Sequence, residues 1–502
     1  MKSDHLIHIQ FRKDRSLQEQ IREYLIESIT QGLFLDHALP SCRKMAEMLN
    51  VSRNTVVLVY ERLVDEGYIY TKPRSGYFAK AMDDDVNAQR PFTTERAISQ
   101  DRQARWQERF KINLRTSTKL KAADDWQTYA YPFIFGQPDP SLFPLAQWRE
   151  CGRLSQRQGV IKDWVTDAID VDDELLIKQL QAKVLSKRGI TAKPDEILIT
   201  IGTQNSLYLL AEMLMAPGTR VGVEEPGYPD IRQIVTLKGA SVVPLALDDH
   251  GVRLSDEMAT CDYVYTTPSH QVPTNVTMSM DRRKALLDFA QQHDVMIIED
   301  DFDSEVNIQE RPSPALKSLD SDQRVIYVGS LSKSLSPGLR IGFLVADRCM
   351  IEQARQLRRL MYRHPPSNNQ KTCGLFLSLG HYDTYVRKLR KSYQQKWSLM
   401  TDLLREHMPN SIMSNHTGGS AFWLKLPPGV DSRDFVRQAK QQGLLVESGD
   451  IHFMLPCSTQ YQYIRVGFSA IKTEKIAPGI LALAQLYHQQ CGPKVDETGP
   501  IE

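Results

Sequence analysis

At 502 residues the chain has room for more than one domain and a large buried core. Lys and Arg total 62 against 61 Asp and Glu, a net charge of +1, so there is no global polyelectrolyte field and any nucleic-acid binding must come from a local patch. Apolar content of 41% and charged content of 25% are ordinary for a globular protein. No apolar run is long enough for a bilayer, and seven scattered cysteines without a Cys-x-x-Cys pair indicate neither a disulfide framework nor a zinc site. With a charged N-terminus that lacks an apolar leader, these features predict a cytoplasmic protein without metal or membrane association.

Residues 14–80 form the first predicted unit. Leu17, Ile21, Tyr24, Leu25, Ile29 and Leu33 recur at helical spacing, and Gly32 marks the end of that helix. Pro40-Ser41 opens a second helix carrying Met45, Ala46 and Leu49, with Ser41 as a natural N-cap. Asn50-Val51 makes a turn, Ser52 caps a third helix with Val56, Val59, Tyr60 and Leu63 on its apolar side, and Gly67 stops it. Tyr68-Ile69-Tyr70 and Tyr77-Phe78-Ala79 read as strands around Pro73-Arg74-Ser75-Gly76. Helix, helix, turn, helix and wing make a winged helix-turn-helix. Its chemistry suits double-stranded DNA: Arg53, Asn54 and Thr55 follow Ser52 at the start of the third helix, the part that reaches base edges in the major groove. Arg43 and Lys44 open the second helix, where a phosphate would sit, and Lys72, Arg74 and Gly76 belong to the wing.

Residues 81–125 read as a charged linker that begins with Asp83-Asp84-Asp85; Trp106 and Phe110 suit either a short amphipathic helix or a tether. Residues 126–490 alternate strand-like and helix-like segments. The runs Glu196–Thr200, Arg220–Val223, Asp262–Tyr265, Val295–Ile298 and Arg324–Val328 are short, apolar and followed by Gly, Pro or polar residues. That pattern predicts an α/β fold with a mostly parallel sheet covered on both faces.

The ends of these runs carry a coherent chemical set. Gly202-Thr203-Gln204 precedes a helix expected to begin near Asn205, a place for phosphate. Tyr228, in Glu225-Pro226-Gly227-Tyr228-Pro229, can stack on a pyridine ring. Of Glu299, Asp300 and Asp301, one carboxylate can face a pyridine nitrogen; Asp300 is the choice, and strand alternation sends Asp301 to the other side. Lys333 follows a buried strand, with Ser330, Ser332 and Arg340 available for a phosphate. An amine that can form a Schiff base beside phosphate ligands describes a pyridoxal 5'-phosphate (PLP) site. Arg465, embedded in Tyr463–Ser469, needs an anionic partner: an amino-acid carboxylate or a structural ion pair.

Leu39 through Gly76 resembles the GntR-type head in its order of Pro-Ser-x-Arg, Val-Ser-Arg-x-Thr, Glu-Gly-Tyr and Ser-Gly-Tyr-Phe. Ser-Leu-Ser-Lys-Ser-Leu-x-Pro-Gly-Leu-Arg-Ile-Gly around Lys333, Glu-Asp-Asp-x-Asp-Ser-Glu at 299–305, Thr-Pro-Ser-His-Gln at 267–271, Val-Glu-x-Gly-Asp at 446–450 and Arg-x-Gly-Phe-Ser at 465–469 resemble the fold-type-I aminotransferases. The two together are similar to the MocR subfamily of bacterial transcription regulators, which includes GabR-like proteins. That resemblance implies a small C-terminal α+β subdomain and a homodimer whose two heads read an operator of two half-sites. It implies an internal aldimine on Lys333, Asp300 at the ring nitrogen, Tyr228 stacked on the ring, His270 near the phenolic oxygen and Arg465 on the effector's carboxylate. The function implied is a PLP-dependent regulator that senses an amino compound through an external aldimine, with at most weak transaminase activity. GABA, taurine, an ectoine derivative, another amino acid and PLP itself are the effectors left open; an active aminotransferase with a DNA-binding head is the alternative.

Two positions depart from the family. Phe302 replaces a tyrosine whose hydroxyl serves the phenolic oxygen of PLP, and Asn275 replaces a glycine after Pro-Thr, where asparagine tolerates the same left-handed backbone. Without the Phe302 hydroxyl the aldimine proton is held more tightly. Titration of the visible absorbance of the PLP-loaded protein should therefore give a higher pKa than in Phe302→Tyr; equal values would contradict the assignment.

Overall fold

The computed structural model describes residues 9, 11–12, 15–34, 38–73, 75–80, 109–112, 125–303, 313–411, 418–455, 457 and 459–490. Arg74, Trp106 and nearly all of the predicted linker lie outside them.

In the N-terminal unit, α1 (Leu17–Thr30), α2 (Cys42–Leu49) and α3 (Arg53–Asp65) precede β1 (Ile69–Lys72) and β2 (Gly76–Ala79), which pair antiparallel as the wing. The predicted caps form. Ser41 Oγ accepts the Lys44 N–H, Ser52 Oγ accepts the Thr55 N–H at 3.0 Å, and Asn50 closes α2 in the left-handed region at φ 51°. The Tyr60 hydroxyl donates to the Pro40 carbonyl at 2.9 Å, fixing α3 against the start of α2. The core holds Ile21, Leu25, Ile29, Met45, Leu49, Val56, Val59, Tyr60, Leu63 and Ile69. Leu17 and Leu33 do not join it; each is 42% exposed, because the first residue of α1 and the turn after it lie beyond the reach of α2 and α3.

The second unit is built on an eight-stranded sheet. Its strands are β4 (Ile197–Thr200), β5 (Arg220–Glu225), β6 (Ser241–Asp248), β7 (Gly251–Val252), β8 (Tyr263–Thr266), β9 (Met296–Asp301), β10 (Val325–Ser330) and β11 (Gly342–Val345), with β3 (Tyr131–Pro132) preceding them outside the sheet. The order is β4-β11-β10-β9-β8-β5-β6-β7. β10, β9, β8, β5 and β6 run parallel, while β11 is antiparallel to both neighbours and β7 to β6. Both faces are covered: Ile197, Ile199, Tyr327 and Phe343 enter one apolar cluster, and Leu198, Ile326, Val328 and Leu344 the other. All five predicted runs are strands; β6, β7 and β11 were not anticipated. β9 also continues past Ile298 through all three carboxylates. A smaller antiparallel sheet follows, with β12 (Ala421–Lys425), β14 (Glu447–Ser448) and β15 (Tyr463–Gly467) in the order β12-β15-β14; β13 (Leu444–Leu445) pairs with β3.

Glycine is required where β11 passes β4. A Cβ on Gly342 would sit 2.8 Å from the backbone of Gly202, which itself has φ +93°. Asn275 holds φ 60°, as its asparagine side chain allows.

The pleat of β9 sorts its acids. The Asp301 carboxylate is buried against Arg188 Nε at 2.7 Å and the Tyr327 hydroxyl at 2.7 Å. Burial pushes this carboxyl up, but Arg188 leads a set of partners that more than offsets it and holds the carboxyl below its ordinary range. Arg188→Ala strands this charge and should lower stability by about 3–5 kcal/mol; urea unfolding at neutral pH measures it, and an unchanged midpoint would refute the role assigned to the pair.

Candidate functional site

A cavity of about 890 Å³ opens at the carboxyl ends of the parallel strands. Lys333, three residues past the end of β10, extends its amine over the Phe135 ring, 4.6 Å from the centroid, and lies 3.4 Å from the Gly136 carbonyl. Burial pushes this amine down to about 8; Asp303 raises it and Arg465 lowers it further. A usable fraction of it is therefore uncharged near neutrality, and most of it above pH 8, the form in which an amine attacks an aldehyde.

Asp300, on the opposite face of β9 from Asp301, lines the cavity. Its Oδ2 accepts the Tyr265 hydroxyl at 2.8 Å, and its Oδ1 is buried without a hydrogen-bond partner. Burial raises its carboxyl to about 8, with the Tyr265 hydroxyl offsetting part of the rise and Asp301 and Asp303 adding to it. A buried acid in this state is stabilised by a ring nitrogen that shares its proton.

Tyr228, the N-cap of helix Pro229–Leu237, lines the cavity with its hydroxyl 2.8 Å from Gln204 Oε1 and 3.1 Å from Asp230 Oδ2. The helix Thr203–Leu214 begins two residues earlier than expected, with Gly202 as its N-cap. Thr203 and Gln204 thus occupy its first turn, where backbone amides lack intrahelical partners. Arg340, held at φ 52°, packs its guanidinium against Gly202, where a Cβ would come within 2.9 Å of Nη2. Ser330 is the last residue of β10 and accepts the Ser332 N–H at 3.0 Å, while Ser332 Oγ is buried without a partner. Thr203, Gln204, Ser330, Ser332 and Arg340 all line the cavity. A helix start, an orphaned hydroxyl and a guanidinium suit a phosphate, and the orphaned Asp300 oxygen suits a pyridine nitrogen; the residues present fit PLP.

Two expected members lie elsewhere. His270 does not line the cavity: it is buried with Nδ1 2.8 Å from Asp303 Oδ1, and Asp303 in turn faces Lys333. Gly202 backs Arg340 rather than lining the space. Phe302 does line it and meets Phe135 edge-on at 6.3 Å.

Arg465, 1% exposed on β15, lies on the cavity wall with its Cζ 3.3 Å from the Phe135 centroid. None of its three guanidinium nitrogens has a hydrogen-bond partner, and Glu447 Oε2 approaches only to 3.7 Å. Phe135, Gly136 and Glu447 had no role assigned from the sequence. Phe135-Gly136-Gln137-Pro138 does carry a turn signal, but a turn does not disclose which site it joins.

In the N-terminal unit Arg43, Lys44, Ser52, Arg53, Asn54, Lys72 and Gly76 are exposed and Thr55 is half-buried. Ser52 is the N-cap of α3 and its hydroxyl lies 2.7 Å from that of Thr55, so both stabilise the start of the helix. Arg43 pairs with Glu47 at 3.3 Å, and the Lys72 amine sits 4.7 Å over the Phe78 ring.

Fold and cavity define an aminotransferase-type domain preceded in the chain by a winged helix-turn-helix. Residues 17–78 match the bacterial regulatory proteins of the gntR family, and residues 167–482 match aminotransferase class I and II. HTH-type transcriptional regulator TauR of Rhodobacter capsulatus is 37% identical over 471 residues, covering 94% of this chain and 96% of that one. The probable rhizopine catabolism regulatory protein MocR of Rhizobium meliloti is 29% identical over 482 residues, 94% of each chain. A solved kynurenine aminotransferase from Pyrococcus horikoshii, in complex with PMP, KYN as substrates and KYA as products, superposes with a TM-score of 0.68 at 26% identity, over 75% of this chain and 96% of that one. The chain belongs to the MocR-like subfamily of GntR-type transcription regulators with an aminotransferase class I and II domain. Among the described residues no helix is long and apolar enough to cross a membrane.

The position of Lys333 predicts its reactivity. In cofactor-free protein its modification by trinitrobenzenesulfonate, followed by peptide mapping, should rise with pH through a midpoint of about 8. Arg465→Met removes a neighbouring positive charge and should move the midpoint upward; a midpoint at the ordinary lysine value would contradict the buried environment.

Proposed function

We propose that this protein is a DNA-binding transcription regulator whose aminotransferase-like domain holds PLP on Lys333 and senses a small amino compound. The observation that carries the reading is that Lys333, Asp300 and Arg465 line one cavity in a chain whose other unit exposes Arg53 and Asn54 at the start of α3. We assign the DNA-binding head to residues 14–80, the connecting segment to 81–125 and the effector domain to 126–490. The protein acts as a homodimer on two half-sites.

PLP supplies, when bound, an aldehyde that a primary amine captures and a ring that withdraws electrons. The chain's own residues do the rest. Lys333 presents an amine that burial makes easier to deprotonate, and Asp300 would hold a proton at the ring nitrogen. Tyr228 would cover the ring. Arg340, Ser330, Ser332, Thr203, Gln204 and the amides after Gly202 would hold the phosphate. Arg465 pairs with the effector's acid group, while His270 orients Asp303 beside Lys333. An effector amine that competes with Lys333 for the aldehyde would change charge and contacts here, which would bias the two heads through the dimer. Phe302 has no hydroxyl to promote proton transfer, which favours sensing over turnover; the intact Lys333 and Asp300 favour the alternative, an aminotransferase with a DNA-binding head.

Borohydride reduction of the PLP-loaded protein should leave a modified peptide containing Lys333, and mixing with an amino effector should give a lasting spectral shift with little keto acid. Turnover at enzyme rates of about 1–10³ per second would favour the aminotransferase; no labelled Lys333 peptide would overturn both. On a duplex selected from a random pool, Arg53→Ala should cost about 1–3 kcal/mol and relax base preference, whereas Arg43→Ala should weaken all sequences alike and reduce the salt slope by about 1. Anisotropy across a salt series reads both.

A further inference from the structure

Glu447 and Arg465 are direct cross-strand partners in the β14–β15 register, and both line the cavity. Their separation does not suit a purely structural ion pair. A buried carboxylate and guanidinium that exist for stability close to a short, hydrogen-bonded, often bidentate contact. Here Glu447 Oε2 stops 3.7 Å from Arg465 Nη1, and that oxygen and all three guanidinium nitrogens are buried without hydrogen-bond partners. The pair is neutralised in charge but unsatisfied in hydrogen bonding, with the Phe135 ring 3.3 Å beneath the guanidinium holding it in place.

We propose that Glu447 is the resident counter-ion of Arg465, that the effector's acid group takes over this pairing while Glu447 receives a proton from solvent, and that the site thereby selects amino compounds bearing a single acid group. This rests on the reading of Arg465 as the acid-binding residue. An acid that docks bidentately on Arg465 brings a second negative charge beside Glu447, whose Oε2 is buried without a hydrogen-bond partner. One cation between two anions leaves a net negative cluster, which is costly there. A proton on Glu447 removes the excess charge and turns a repelling acceptor into a donor for the incoming acid. That proton offsets one acid group only, and a second acid group beside Arg465 and Glu447 would add its charge in full.

The other charged groups around Glu447 set the balance. Arg465 on the facing strand and Lys333 beyond β10 favour its charged form; Asp303 acts on both of those cations and Asp300 on Lys333; Lys440 from the helix Ser432–Gln441 and Arg340 stand on the same cavity wall, and His452 is buried near Arg465. Burial already pushes the Glu447 carboxyl up, with Arg465 and then Lys333 drawing it back. Once an effector acid occupies Arg465 that restraint is spent, so the carboxyl rises further. Affinity for an acid is then greatest at low pH and falls as pH rises through the window between the values of the empty and the loaded site.

The PLP-loaded protein tests this with β-alanine, aspartate and propylamine as probes, bound amine being followed by visible absorbance between pH 6 and 8.5 in wild type and Glu447→Gln. We expect wild-type affinity for β-alanine to decline more steeply with pH than that of E447Q, the variant binding about tenfold tighter or more at the alkaline end. Propylamine should not distinguish the two, and aspartate should bind wild type more weakly than β-alanine. Calorimetry in phosphate and Tris should show about one proton taken up per β-alanine by wild type, beyond that for propylamine, a readout independent of any variant's folding. Identical pH profiles, no extra proton uptake, or β-alanine binding lost in E447Q while propylamine binding persists would overturn the proposal. Arg465→Met separates the two levels of inference: if it leaves the preference for β-alanine over propylamine intact, the acid-binding role of Arg465 fails, whatever E447Q does.

Discussion

The alternation of side chains along β9 is the constraint on which the site depends. Three acids in a row at the end of a buried strand would repel one another if they shared a face. The pleat divides them. Asp301 meets Arg188 and the Tyr327 hydroxyl through Oδ2 on one side, and Glu299 accepts the Leu316 and Lys317 backbone N–H groups there, so both charges are compensated within the domain, although Asp301 Oδ1 itself is buried without a partner. Asp300 alone turns to the cavity with one oxygen uncommitted. A one-residue slip of this strand would exchange the roles, placing a compensated carboxylate in the cavity and an uncompensated one against Arg188.

Around that carboxylate the sheet gathers its other groups for a topological reason. Parallel strands end on the same side, so the segments after β4, β5, β9 and β10 converge however distant they are in sequence. Arg465 and Glu447 come instead from the small antiparallel sheet, and Phe135 from the segment after β3. The Phe135 ring lies under both the Lys333 amine and the Arg465 guanidinium, with distances of 4.6 and 3.3 Å to its centroid. The two centres that would receive the amine and the acid of one small molecule are thus held over a single side chain. A cation above an aromatic face is stabilised without consuming hydrogen bonds, which leaves its donors for a ligand.

The head follows a different logic. Its specificity elements are few and exposed, and what the fold contributes is their direction. Ser52 and Thr55 spend their hydroxyls on the start of α3, and Tyr60 pins that helix to the beginning of α2, so Arg53 and Asn54 project from a fixed helix end. Two of the polar residues first read as contacts to DNA therefore have structural work of their own.

Sequence by itself settled whatever depends on local pattern. The caps Ser41, Asn50 and Ser52 follow from side chains that satisfy helix ends, the five apolar runs became strands because buried parallel strands are continuous in apolarity, and the face of Asp300 follows from the period of the pleat. The strand β6 escaped because Pro244 interrupts its apolar run, and β7 because it is two residues long. Only the tertiary structure decided that His270 turns to Asp303, that Phe135 lies beneath both cations, and that Glu447 stands unbonded beside Arg465. Each of these is a contact between segments remote in sequence, governed by distances and burial that no local spacing encodes.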